Sequence, residues 1–126
     1  MMNAQKADDS SAENLSDLSV IRNFYVVSLI DNFDEGYLED LENRLLTLLA
    51  KRQKIQGVIF TCNEVVTTDQ HDLRRLKDMF KSIKLVGGRI GLCCISPGLA
   101  AVMVTSNLSF EKEVIGSEID DLLDCL

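Results

Sequence analysis

Short β-branched runs alternate with amphipathic helical stretches along this chain, and that alternation restricts it to an α/β architecture. Ser19–Ile30 is rich in Val, Ile, Phe and Tyr and predicts a strand pair turning near Arg22-Asn23. Asp31–Asp34 interrupts it. Leu38, Leu41, Leu45, Leu48 and Leu49 then recur at helical spacing. With Asp34 as N-cap, Glu35 in the first turn and Arg44, Lys51, Arg52 and Lys54 toward the end, they predict a helix over residues 35–53. Gly57–Phe60 reads as a short buried strand and Thr61–Thr68 as the loop leaving it.

The pattern then repeats. Asp69 is placed to cap a second helix with Asp72 in its first turn and an apolar stripe of Leu73, Leu76, Phe80 and Ile83. Arg74, Lys77, Lys81 and Lys84 form a basic stripe on another face. Gly87-Gly88 ends it, because glycine tolerates the positive φ of a helix terminus. Arg89–Ile95 predicts another buried strand, Ser96-Pro97 the start of a third helix, Lys112–Ile115 an extended piece, and Ser117 the cap of a final helix. The expected order is β-β-α-β-α-β-α-(β)-α: a mixed sheet of four to five strands with about four helices.

At 126 residues there is room for one domain, and 46% apolar residues suffice for its core. Residues 1–18, polar and acidic, are expected to form a disordered leader, and residues 19–126 the domain. The net charge of −7 sits at the two ends. Residues 1–19 hold Asp8, Asp9, Glu13 and Asp17 against Lys6, and residues 117–126 hold Glu118, Asp120, Asp121 and Asp124 against no base. The span between carries 12 bases and 12 acids. A neutral body with acidic ends lacks the positive field that nucleic acid or an anionic membrane surface attracts. No apolar run approaches the ~20 residues of a membrane span, so no direct membrane insertion is expected.

The chemistry-bearing residues are few. One histidine, His71, does not make a His-rich metal site, and no metal or cofactor is expected. Cys62, Cys93, Cys94 and Cys125 are expected to be reduced and mostly buried thiols of a cytoplasmic protein. Adjacent Cys93 and Cys94 in a strand would face opposite ways, unlike a Cys-x-x-Cys pair. No Gly-x-Gly-x-x-Gly opens a helix and no phosphate-cradling loop with Lys-Ser/Thr occurs. An acid ending the central strand, as in receiver domains, is replaced by Thr61. Nothing marks a catalyst.

One resemblance is specific. Thr68-Asp69-Gln70-His71-Asp72-Leu73, Ile83–Gly88 and Cys94-Ile95-Ser96-Pro97 follow the pattern of the STAS domains, the family of anti-sigma factor antagonists and stressosome scaffold proteins. There a strand and loop lead to Asp-Ser-(Ser/Thr)-Gly-Leu at a helix start, followed by a Gly-Gly turn, a strand and an Ile-Ser-Pro-like helix start. The resemblance implies a non-catalytic interaction domain in transcription and stress signalling. Its partner would be a switch-type protein kinase (anti-sigma factor), other STAS proteins or a second copy as a homodimer. An alternative is a STAS subunit serving a membrane transporter. The implied contact surface comprises Asn63, Thr67, Thr68, Asp69, Gln70, His71, Asp72, Arg74 and Lys77, extended by Lys81. The departures matter as much. The family's phosphoacceptor Ser is Gln70, which has no hydroxyl; the motif Gly is Asp72, whose charge pulls toward the phosphorylated state; Thr67 and Thr68 are the substitute acceptors within reach.

Overall fold

A computed structural model describes residues 18–51, 54–106 and 114–126. Its strands are β1 (Leu18–Ile21), β2 (Phe24–Ser28), β3 (Gly57–Thr61), β4 (Arg89–Cys93) and β5 (Val114–Gly116). Its helices are α1 (Glu35–Lys51), α2 (Gln70–Leu85), α3 (Pro97–Thr105) and α4 (Ile119–Cys125). The strands form one sheet in chain order, β1-β2-β3-β4-β5. β1 pairs antiparallel with β2, and every later pair is parallel. The mixed sheet and the four helices are as expected. Most of the expected leader lies outside the described residues, but Leu18, placed at its end, is the first residue of β1 and pairs with Val27. Residues 52–53 and 112–113, expected to end the first helix and begin the last strand, also lie outside the described residues.

Both faces of the sheet are covered, which is what continuous apolar strands demand. Tyr25, Val27, Val58, Phe60, Ile90 and Leu92 point to the side covered by α1 and α2, where they meet Leu38, Leu41, Leu45, Leu73, Leu76, Phe80 and Ile83. Met79, absent from the expected stripe, is buried there too. Phe60 and Phe80 stack at 5.0 Å between ring centroids, tilted by 38°. Phe24, Val26, Ile59 and Cys93 point to the other side, where Leu122 and Leu123 of α4 cover them.

The helix ends follow local chemistry. Asp34 Oδ1 accepts from the Tyr37 N–H (2.8 Å), and Ser96 Oγ from the Leu99 N–H (3.1 Å), with Pro97 in the first turn. After α2, Gly87 turns to φ 89°, and the Gly87 and Gly88 N–H groups close back on the Lys84 and Ile83 carbonyls. Several boundaries differ from expectation: β2 ends at Ser28 rather than Ile30, β3 takes in Thr61, and β5 reaches Gly116. Ser117 does not cap α4: the cap position is Glu118, without a side-chain bond, and the Ser117 hydroxyl meets Asp121 Oδ2 at 3.2 Å. β4 ends at Cys93 rather than at Ile95, because Cys94 takes φ 61° and leaves the ladder.

One ion pair ties the two long helices together. Arg75 Nη2 of α2 donates to Glu42 Oε1 of α1 at 2.6 Å, with 19% and 15% of the side chains exposed. Burial alone would raise the Glu42 pKa, but the hydrogen bonds from Ser82 and Arg75 and the Arg75 charge outweigh it, leaving a net downward shift from 4.5. Glu42 therefore adds stability that is fully present above pH 4.5 and is lost as pH falls through its lower folded value. In Glu42→Gln, the acid limb of a denaturation-versus-pH profile should flatten over that window. Urea titration should further separate core from surface. Leu41→Ala, at a fully buried site, is expected to cost about 2–5 kcal/mol. Leu85→Ala, at a side chain 87% exposed, should stay within about 0.5 kcal/mol of the parent.

Candidate functional site

Ser28, Thr61 and Cys93 stand side by side in register at the ends of three parallel strands, so the segments that follow leave the sheet along one edge. In open α/β sheets such an edge is where binding surfaces form. The segment after β3 is the centre of it. Thr61 Oγ1 donates to Ser28 Oγ (3.0 Å), and the Cys62 N–H to the Cys93 carbonyl (2.9 Å). Val65 is buried and anchors the loop, and its carbonyl accepts from the Ser96 hydroxyl at the start of α3.

From the other side the loop is held by Asp31, in the β2–α1 connection. Its Oδ1 accepts from the Thr67 N–H (2.6 Å) and the Val66 N–H (2.8 Å), and the Asn32 N–H returns a bond to the Thr67 carbonyl (3.0 Å). The Thr67 and Val66 amides favour the charged carboxylate and lower the Asp31 pKa below its usual 3.8. In the sequence Asp31 reads only as a strand breaker; the signal for its role is its place after a strand parallel to the one that launches the loop.

The sequence-derived residues now take positions. Asp69 is the N-cap of α2: its Oδ1 accepts from the Asp72 N–H at 2.8 Å, and its carbonyl from the Leu73 N–H. Gln70 is the first residue of the helix and is exposed. Arg74 lies one turn on, and Lys77 and Lys81 two and three turns on, along the same stripe. Asn63 and Thr67 are exposed. Thr68 differs from its neighbour: the residue is half-buried and its Oγ1 is buried with no hydrogen-bond partner, whereas Thr67, the other expected acceptor, is exposed. Asp72 is 17% exposed and its Oδ1 lies 3.4 Å from His71 Nδ1, so its charge is turned toward His71 rather than displayed. Asp69, His71 and Asp72 bring one ligand atom each within 4.8 Å of one another, but the cap bond occupies Asp69 Oδ1 and His71 faces Asp72 Oδ1.

Val66, at the tip of the loop, is 62% exposed and adds an apolar side chain to this polar patch. Gly98, in the first turn of α3, lies so close to the Val66 carbonyl that a β-carbon would collide with it, so loop and helix form one continuous surface. Among the described residues, no helix is long and apolar enough to cross a membrane.

Comparison with known proteins bears on this arrangement. No curated protein sequence matches the chain. Among solved structures, a serine-to-glutamate variant of RsbS from Moorella thermoacetica superposes with a TM-score of 0.69 at 17% identity, covering 86% of this chain and 91% of that one. A chain of the stressosome, described as a signal integration and transduction hub, gives 0.68 at 16% identity, covering 86% and 93%. The unphosphorylated anti-sigma factor antagonist SpoIIAA gives 0.64 at 19% identity, covering 86% and 92%. These likenesses establish the fold, and the sequence itself matches the STAS domain family over residues 16–121. The chain therefore belongs to the STAS domain family.

Proposed function

We propose that this chain is a non-catalytic, cytoplasmic interaction domain that docks a switch-type protein kinase (anti-sigma factor) or another STAS protein. The docking surface is the loop and helix start from Asn63 to Asp72, flanked by Arg74 and Lys77. The observation that carries this reading is the double anchoring of the loop. Asp31 holds two of its amides, and Ser96 holds the Val65 carbonyl. A loop fixed before its partner arrives avoids the ordering cost that weakens flexible binders. Exposed Val66 supplies the apolar part of the surface, Arg74 and Lys77 a basic rim for an acidic partner.

The state of the switch follows from side chains. A phosphate at a helix N-terminus would carry about −2 charge toward a docking partner. Gln70 occupies that position uncharged, and the Asp72 carboxylate, turned to His71, does not replace it. The surface thus corresponds to an unphosphorylated state that phosphorylation at position 70 cannot end. Pull-down from the native host with mass spectrometry should recover a small ATPase-fold kinase or other STAS proteins, with Thr67 and Thr68 unmodified. Recovery of transporter subunits instead would overturn the reading, as would loss of binding on stoichiometric phosphorylation at Thr67.

Two substitutions test the geometry with the purified partner. In Gln70→Glu the new charge meets the positive end of α2, so stability should hold or rise by about 0.3–1 kcal/mol. Partner affinity should fall about tenfold, roughly 1.4 kcal/mol. Asp31→Asn removes the charge holding Val66 and Thr67. Amide exchange at those two positions should accelerate and affinity should drop, with the rest of the sheet unchanged. Unaltered binding in both variants would place the interface elsewhere.

A further inference from the structure

Two adjacent thiols at the end of β4 are arranged as a strand would not arrange them. Side chains at successive strand positions face opposite ways. Cys93 faces α4, buried among Phe24, Val26, Ile59, Leu122 and Leu123, so Cys94 in a regular strand would face α1 and α2. Instead Cys94 adopts φ 61°, a left-handed conformation uncommon outside glycine, asparagine and aspartate. That turn brings it back to the side of Cys93 and α4. The two Sγ atoms lie 3.5 Å apart, and Cys94 Sγ also approaches the Ser117 carbonyl at 3.5 Å. The expectation that the pair diverges is therefore corrected: the sulfurs converge.

We propose that Cys93 and Cys94 are a reversible redox site, oxidised by peroxides to a disulfide between neighbouring residues. Their surroundings divide the labour. Cys93 is fully buried, and burial, with the neighbouring Cys94 and Cys62 thiols, pushes its pKa up to about 12, so it stays a protonated thiol. Cys94 is half-buried and is the sulfur a small oxidant reaches. Its thiolate attacks the O–O bond of a hydroperoxide; a sulfur–oxygen bond forms, the O–O bond breaks, and Cys94 becomes a sulfenic acid as hydroxide or alkoxide departs. The Cys93 sulfur then attacks the Cys94 sulfur. The S–S bond forms, the S–O bond breaks, and the departing hydroxide takes the Cys93 proton and leaves as water. Two thiols lose two electrons in all, and the peroxide takes them up.

The site is built for reversal rather than for permanence. Consecutive Cα atoms are about 3.8 Å apart, shorter than the ~4.4–6.8 Å spanned by ordinary disulfides. Such a ring is strained, and strained disulfides are the readily reduced ones. Cys62 is the competing partner. It is buried on the opposite side of the sheet with Val58 and Phe60, and burial holds its thiol near 12 as well, followed by the effect of Cys94.

The test uses the reduced full chain treated with hydrogen peroxide, then alkylated and digested with trypsin. The fragment Ile90–Lys112 carries Cys93 and Cys94 and no other cysteine. It should lose two hydrogens, resist alkylation and recover both free thiols with dithiothreitol. In Cys93→Ala the oxidation should stop at Cys94 sulfenic acid, trapped by dimedone; in Cys94→Ser the Cys93 thiol should survive the same exposure. Circular dichroism confirms that each variant is folded, and the parent chain alone decides the disulfide. Alkylation of both cysteines after peroxide overturns the proposal, as does a link from Cys94 to Cys62 or Cys125.

Discussion

Parallel pairing of β2, β3 and β4 in matched register is the constraint on which the rest of this molecule depends. Phe24, Gly57 and Arg89 begin the three strands together, and Ser28, Thr61 and Cys93 end them together. Parallel neighbours cannot be joined by a tight turn, so each connection must cross the sheet, and the crossings are α1 and α2. Their apolar stripes cover the face that the strands present. The same geometry delivers the β2–α1 connection, the β3–α2 loop and the start of α3 to one edge. Asp31 and Val66 are 35 positions apart in sequence, Val65 and Ser96 31, and this pairing makes them neighbours.

At that edge, backbone groups without ladder partners would be costly if they were buried unpaired. The molecule satisfies them with side chains drawn from adjacent connections. Asp31 takes the Val66 and Thr67 amides, Ser96 takes the Val65 carbonyl, and Thr61 meets Ser28. Each bond spans two chain segments, so the loop is fixed by the sheet rather than by its own composition. Val66, which remains outside, is then displayed on a stable frame instead of collapsing inward.

How far the sequence revealed this depends on the range of the interaction involved. Helix caps at Asp34, Asp69 and Ser96, the Gly87-Gly88 stop and the hairpin at Arg22-Asn23 are written within four or five residues, and all were legible. The order of elements and the mixed character of the sheet were legible from alternation. What was not legible depends on partners far along the chain or on backbone choices with no residue signature. Asp31 looks like a turn residue until β3 is laid beside β2. Arg75 looks like one more base of α2 until Glu42 is found across from it. Thr67 and Thr68 look equivalent until burial separates them. Cys94 carries no mark of a left-handed conformation, and only that conformation turns two divergent thiols into a facing pair.

The cap at Asp69 also shows why the side chain at position 70 is free to vary without disturbing the start of α2. The start of α2 rests on Asp69 Oδ1 and the Asp72 amide, and on the Asp69 carbonyl and the Leu73 amide. None of these bonds uses the side chain of residue 70. That side chain projects into solvent, so serine, phosphoserine or glutamine there leaves these cap bonds in place. The start of the helix therefore does not depend on the side chain at position 70, and any of these residues can stand there while Asp69 keeps its structural place as the cap.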